Sequence, residues 1–299
     1  MLDFMGNTPF VKIQKLLAKS SADVYIKLEE FNPGGSIKSR VAYKMILEAE
    51  KNGMLTPNSG QTLIEATGGN TGIGMAIAAA IKGYKVVFVV PDNFSKEKIK
   101  ILQIYGARVI LSDSTTGNDS HVRKAREMLL TNPDYIMLDQ FSNPANPYAH
   151  YSETGQEILD VLPNIDAFVA GIGSGGTISG VGKKIKNHFP NAQIIGVQPE
   201  GCDVLKGKAV PHKILAIALG IIPKTLDVNI VDRVVSVQFQ EVIELLRQLA
   251  RQEGILVGIS SGANILAATK IAAELGEGKV VVTIAPDSGR SYIEAIAVE

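Results

Sequence analysis

The chain has 299 residues, 45% apolar and 20% charged, enough to bury a large core and to make two domains rather than one. Thirty basic residues balance thirty acidic ones with no basic stripe, which argues against nucleic acid as the main partner. No apolar run reaches membrane-span length, Met1-Leu2-Asp3-Phe4 lacks a signal-peptide pattern, and Cys202 is the only cysteine; an internal disulfide is excluded, no membrane partner is expected, and a cytoplasmic setting is expected.

Strand and helix patterns alternate along the chain. Val24–Leu28 reads as a strand and Val41–Lys51 as a helix stopped by Asn52-Gly53. Gln61–Glu65 is a strand, Thr71–Lys82 a small-residue helix, and Lys85–Val90 a buried β-branched strand. Ser95 caps a helix over Lys96–Tyr105, with Glu97 in its first turn. Strand Arg108–Leu111, a polar loop Ser112–Ser120, a helix through Arg126 and strand Tyr135–Leu138 follow. Asn143-Pro144-Ala145-Asn146-Pro147 breaks the pattern and marks a domain crossing. The second half repeats the alternation: strand Ala167–Ala170, helix Ile178–Asn187, strands Gln193–Val197 and Val234–Val237, helices Gln240–Gln252 and Ala263–Leu275, strand Val280–Ile284. Strands separated by helices predict an α/β protein with parallel-rich sheets covered on both faces.

Four segments carry the chemistry. Lys38 follows a Pro33-Gly34-Gly35 turn at the start of a helix, where burial or neighbouring charge makes a lysine a nucleophile and base; the bland reading is a solvated surface lysine. Leu63–Gly72 and Phe168–Thr177 echo one another as strand, Gly-rich loop and helix. Each offers backbone N–H groups and a helix N-terminus to an anion. The second, Gly171-Ile172-Gly173-Ser174-Gly175-Gly176, also fits a dinucleotide fingerprint, with Glu200 near the place of a ribose-binding acid. Gly258-Ile259-Ser260-Ser261-Gly262-Ala263 is the fourth segment, and Ser260 there fits a helix N-cap. His121, His150, His188 and His212 lack metal-ligand spacing, so no metal is expected.

The run Asn32–Arg40 resembles the pyridoxal-phosphate (PLP) lysine motif of the cysteine synthase (O-acetylserine sulfhydrylase) and cystathionine β-synthase family, and the other motifs resemble that family in the same order. The likeness extends from about Gly6-Asn7-Thr8-Pro9 to Pro286-Asp287-Ser288-Gly289. It implies a two-domain fold-type-II PLP enzyme, tryptophan synthase β-like, with residues 1–9 and 34–142 in a smaller domain carrying the substrate loop. Residues 10–33 and 143–299 then form a larger domain carrying the phosphate loop. Lys38 is the implied Schiff-base lysine and the base for the α-proton. Gly173, Ser174, Gly175, Gly176 and Thr177 hold the phosphate, Asn70 meets the phenolic oxygen, and Ser260, with Ser261 as alternative, meets the pyridine nitrogen. Thr67, Gly68, Gly69, Thr71 and Gln140 hold the substrate carboxylate, and the loop containing Ala216 lies over the substrate amino group. His150 falls in a segment resembling the family's Asn-Pro-x-x-His pattern and is expected to be structural. A neutral hydroxyl at the ring nitrogen makes a weaker electron sink than a carboxylate, which favours β-elimination and β-replacement over transamination.

The implied reaction is β-replacement on an O-activated L-serine through an aminoacrylate, with sulfide giving L-cysteine. Cystathionine synthesis, cysteine desulfhydration and formation of a 2,3-diaminopropionate-type product are rivals on the same fold. An NAD-binding dehydrogenase and a catalytically silent regulatory homologue are rivals of other classes. The family also implies a homodimer and a possible serine acetyltransferase-like partner. Three departures stand out: Gly68 for the family's serine, which removes a donor and is expected to widen the pocket; Ala216 and Ala218 for glycines; and Gly289-Arg290-Ser291-Tyr292 without the usual Glu-Arg.

Overall fold

Two sheets organise the chain, which a computed structural model describes over residues 1–117 and 119–297. The six-stranded sheet has the order β1-β2-β10-β7-β8-β9, from Phe10–Lys12, Asp23–Leu28, Val280–Ala285, Ala167–Gly171, Gln193–Pro199 and Arg233–Val237. Only β1 runs antiparallel to its neighbour. The four-stranded sheet is wholly parallel in the order β5-β4-β3-β6, from Arg108–Ser112, Lys85–Pro91, Thr62–Glu65 and Tyr135–Ile136. Its helices are α1 (Lys38–Lys51), α2 (Asn70–Lys82), α3 (Lys96–Ile104) and α4 (Ser120–Thr131). After them come α5 (Ala145–Ala149), α6 (Gly155–Val161), α7 (Gly176–His188), α8 (Phe239–Gln248), α9 (Ile259–Leu275) and α10 (Ile293–Ile296).

Both sheets are buried on both faces, which is why their strands read as near-continuous apolar runs. In the large sheet Val169, Ile195 and Val281 face a core shared with α8 and α9. Phe168, Ile194 and Val282 face a second core with Ile178, Val181 and Ile185 of α7. In the small sheet Leu63, Phe88 and Val90 pack with Met45, Met75 and Ala76 of α1 and α2, while Ile64, Val87 and Val89 turn to Ala125 of α4. Alternate residues on each strand thus serve opposite cores.

A buried charge network joins the sheets. Arg40 of α1 donates to Glu29 through Nε (2.7 Å) and to Glu157 of α6 through Nη2 (2.8 Å), while Lys27 of β2 meets Glu157 at 2.6 Å. Two cations and two carboxylates compensate one another where water is excluded. Burial works against the Glu157 charge, but Arg40 and Lys27 overcome it and hold its pKa at about 2.

Some elements depart from expectation. The helix expected at Val41 begins at Lys38 itself, and the one expected to end by Arg126 continues to Thr131. Asn143–Pro147 is not a simple breaker: α5 starts inside it and continues through a π-turn, His150–Thr154, into α6. Pro147 is tolerated because the first turn of a helix needs no donor. Strand β6 ends at Ile136, since the N–H groups of Leu138 and Asp139 donate to Glu65 Oε1 (2.8 and 2.7 Å). Among the described residues no helix is long and apolar enough to cross a membrane.

Candidate active site

Two strand–loop–helix units put their loops at the carboxyl ends of parallel strands: β3 into α2 and β7 into α7. The chain enters between them at Lys38. The Ile37 N–H donates to the Pro286 carbonyl (2.9 Å), which pins the first turn of α1 to the end of β10. Lys38 Nζ then reaches Ser174 Oγ at 3.4 Å. Burial lowers its pKa to about 8, so near neutral pH an appreciable fraction is the nucleophilic free amine.

The loop Gly173–Thr177 is backed from several sides. No side chain caps α7, so its first-turn N–H groups are available to an anion. Gly175 adopts φ +83°, and a Cβ on Gly176 would lie 1.9 Å from Asn146 Oδ1, so the cradle needs glycine at both places. Asn146 Nδ2 donates to Ser174 Oγ (3.1 Å) and to the Gln140 carbonyl (2.7 Å), tying the cradle to the segment that carries Gln140. The Thr225 hydroxyl donates to the Ser174 carbonyl. Behind Thr177, His150 Nε2 lies 3.3 Å from its hydroxyl, while Nδ1 pairs with Thr154 (3.0 Å). Burial, reinforced by Lys38 and Arg40, holds the His150 pKa well below its usual value, so the imidazole is neutral. A rigid ring of donors beside a deprotonatable lysine fits a phosphorylated aldehyde.

The loop Thr67–Thr71 is held at its far end. Thr71 donates its hydroxyl to Gln140 Oε1 (2.8 Å), which leaves the Gln140 amide N–H groups for a ligand. Gly69 occupies the cap position of α2 and has no neighbour within 4 Å of where a Cβ would sit. Asn70 does not cap its own helix; its Nδ2 donates to Asp287 Oδ2 (2.7 Å). Gly68 does not open the pocket as expected. A Cβ there would lie 2.8 Å from the Phe94 ring and 2.7 Å from Val90 Cγ1, so these side chains fill the space. Ser260 is not a helix cap: Gly258 holds that position, Ser260 is the second residue of α9, and Ser261 Oγ donates to the Asp287 carbonyl (3.3 Å). Ala216 and Ala218 both sit in the left-handed region, at φ 67° and 53°. The Ala216 carbonyl oxygen lies 2.2 Å from where a Cβ on Gly173 would stand, so this segment roofs the cradle. Glu200 is exposed beyond β8 and pairs with Gln238 (3.2 Å).

Several site neighbours carried no sequence signal of their own. Asn146, Thr225, Glu65 and Asp287 lie outside the motifs or at their edges, and only their contacts reveal them. Cys202 lies in a loop after β8 and is buried against the core that contains Val204.

Such an arrangement defines an enzyme built around a lysine-bound, phosphorylated cofactor. The family model described as "Pyridoxal-phosphate dependent enzyme" matches residues 1–287, and the chain belongs to that family; its cofactor is pyridoxal 5'-phosphate. A cysteine synthase of Staphylococcus aureus is 45% identical over 292 residues, covering 97% of this chain and 93% of that protein. The crystal structure of O-ureido-L-serine synthase superposes with a TM-score of 0.92 at 37% identity, over 98% of this chain and 92% of that one. O-acetyl serine sulfhydrylase isoform 3 of Entamoeba histolytica gives 0.93 at 35% identity, over 100% and 91%. These similarities establish the fold-type-II class and kinship with the cysteine synthases, and they do not favour the dinucleotide reading.

Proposed function

We propose that the protein catalyses PLP-dependent β-replacement on an O-activated L-serine, O-acetyl-L-serine foremost, with sulfide as nucleophile and L-cysteine as product. The observation that carries this reading is the meeting of Lys38 Nζ with Ser174 Oγ beside the buried Thr71–Gln140 pair. Asn146 donates to both the Gln140 carbonyl and Ser174 Oγ, which supports reading the anchor, the cradle and the clamp as neighbours.

When bound, PLP supplies the electron sink that makes the substrate α-proton acidic. Gly173, Ser174, Gly175, Gly176 and Thr177 hold the phosphate through backbone N–H groups and two hydroxyls. Thr67, the backbone of Gly68 and Gly69, Thr71 and Gln140 hold the substrate carboxylate. Asn70 serves the ring's phenolic oxygen and Ser260 its nitrogen. A hydroxyl cannot hold that nitrogen charged as a carboxylate would, which favours loss of a β-substituent over transamination. Lys38 is the catalytic residue: its lowered pKa suits it to take the α-proton. The backbone at Ala216 closes over the substrate amino group.

The same proposal divides the chain into a smaller domain, residues 1–9 and 34–142, and a larger one, residues 10–33 and 143–299. The segregation of β3–β6 from the other strands supports that division. Cytoplasmic residence, a homodimer and a serine acetyltransferase-like partner extend it; they rest on the family resemblance, and on composition for the first.

Visible spectra of the purified holoenzyme test the reading, recorded before and after adding O-acetylserine, O-phosphoserine, serine and cysteine separately. A band that O-acetylserine changes, and that sulfide restores with release of cysteine, is expected. A band that none of the four alters would sink the substrate assignment.

A further inference from the structure

We propose that Asp287 is a positioning residue for the reaction: its carboxylate anchors the Asn70 amide and so directs the remaining Nδ2 hydrogen toward the cofactor ring. The inference rests on the assignment of Asn70 to the phenolic oxygen made above.

Asp287 lies just past β10 and is 4% exposed. It touches three motif segments at once. Its Oδ2 accepts from Asn70 Nδ2 and from the Tyr292 hydroxyl, each at 2.7 Å. Its carbonyl accepts from the Gly258 N–H (2.9 Å) and the Ser261 hydroxyl (3.3 Å), at the start of the helix that carries Ser260. Its backbone bridges Ser36, two residues before Lys38. The second carboxylate oxygen is buried, has no partner among the described residues, and faces Gly258, where a Cβ would stand only 2.1 Å away.

A carboxylate only accepts hydrogen bonds, so it decides which end of an amide faces it. Asn70 must present Nδ2 to Asp287. One of its two N–H groups is thereby used and the other is left in a fixed direction. Without this anchor the amide can flip, and its carbonyl oxygen would then face an oxygen that itself needs a donor. Two donors on a single oxygen, with the other oxygen left unpartnered, is an expensive arrangement for a buried acid. Orienting a neighbour explains it better than packing does. Burial raises the Asp287 pKa and Glu30 adds to the rise, while Tyr292, Asn70 and Lys98 oppose it.

The test compares Asn70→Ala, Asp287→Ala and the double variant as holoenzymes, read by the visible band of the resting lysine-bound cofactor. Asp287→Ala is expected to shift the band in the same direction as Asn70→Ala, and the double variant to shift it no further. kcat should fall roughly 10- to 100-fold, as when an outer hydrogen-bond partner of a site group is removed, with KM changed far less. Tyr292→Phe keeps the Asn70 anchor and should leave the band in place. A shifted Asn70→Ala band beside an unmoved Asp287→Ala band overturns the proposal alone. An unmoved Asn70→Ala band overturns the assignment of Asn70 beneath it, and the proposal with it. If Asp287→Ala does not fold, Asp287→Asn is read instead. An amide offers Asn70 either end, so a two-component band is expected there, and a single wild-type band overturns the proposal.

Discussion

The loops Thr67–Thr71 and Gly173–Thr177 share one design and differ in how they are supported. Both follow a parallel strand and open a helix that no side chain caps. Around the second, Asn146, Thr225, His150, Leu226 and the Ala216 carbonyl press on the loop from several sides. Around the first, Val90 and Phe94 back Gly68 and Gln140 and Asp287 hold the end, while a Cβ on Gly69 would meet open space. A cofactor phosphate stays bound through turnover, so a rigid cradle loses little by being fully built. A substrate carboxylate must enter and leave, and a loop free on one side can admit it.

The contrast is broken most sharply by the same substitution in both loops. Gly176→Ala drives a methyl into Asn146 Oδ1, which Gly176 approaches too closely for any Cβ. Overpacking of this kind costs about 1–3 kcal/mol, so cofactor retention should weaken roughly ten- to hundredfold. Gly69→Ala meets open space at a φ of −94°, which alanine adopts. It should leave cofactor affinity unchanged and alter only the KM for the amino acid. Cofactor titration of the two apo-proteins by absorbance checks both. Equal losses would mean that the loops are supported alike.

The contrast also explains what the sequence could reveal. Lys38 and the two glycine-rich loops lie in short runs whose residue types point to their chemistry, Gln140 entered through the family resemblance, and the fold brings these segments together. Parallel strands were legible as apolar runs because both faces are buried. The supports were not, since they come from distant parts of the chain. Asp287 and Asn70 are 217 positions apart, and the fold alone brings them together. Asn146 looked like part of a Pro-rich breaker, yet it is fully buried between Gln140 and Ser174. The three-residue strand β1 is too short to show a period, and β6 was cut short by a side chain, Glu65, that takes the N–H groups expected to extend it. Gly68 misled because a missing side chain reads as space, and only the structure shows Phe94 already there.

That last contact gives the next prediction. Gly68→Ser places Cβ against the Phe94 ring and should displace the substrate loop, raising the KM for the amino acid about tenfold with cofactor binding intact. Gly68→Ser combined with Phe94→Ala removes the ring's share of the clash, leaves the contact with Val90 Cγ1, and should recover part of the loss. Steady-state kinetics on the two variants decide it; a double variant no better than the single would mean that the ring is not the obstacle.

Glu65 sharpens the comparison through pH. Its carboxylate ties the end of β3 to the turn before Gln140, and burial raises its pKa to about 7. A carboxyl whose pKa is higher folded than unfolded holds its proton more tightly when folded. Its contribution to stability is therefore greatest below pH 4.5 and declines as pH rises to about 7. Glu65→Gln keeps the acceptor oxygen and removes the titration, so that decline, on the order of 3 kcal/mol, should vanish. Chemical denaturation of both proteins between pH 4 and 8 tests this; parallel curves would remove Glu65 as the source.

The smallest effect concerns the roof of the cradle. Ala216 and Ala218 both hold left-handed backbone angles, which penalise a Cβ by about 1 kcal/mol or more. Glycine relieves that strain but loses about 0.4–1 kcal/mol through the freer unfolded chain. Ala216 is exposed, so its methyl contributes little burial, and Ala216→Gly should raise the melting temperature by about 1–2 °C. Ala218 is 5% exposed and packs in the α7 core, where losing a methyl forfeits about 0.8 kcal/mol; Ala218→Gly should be neutral or slightly destabilising. Melting curves of the two single variants separate backbone strain from burial. Equal shifts would show that strain alone governs this segment. Unequal shifts in the predicted order would show that Ala218 is retained for packing, while at Ala216 the methyl is a strain that stiffens the roof over Gly173.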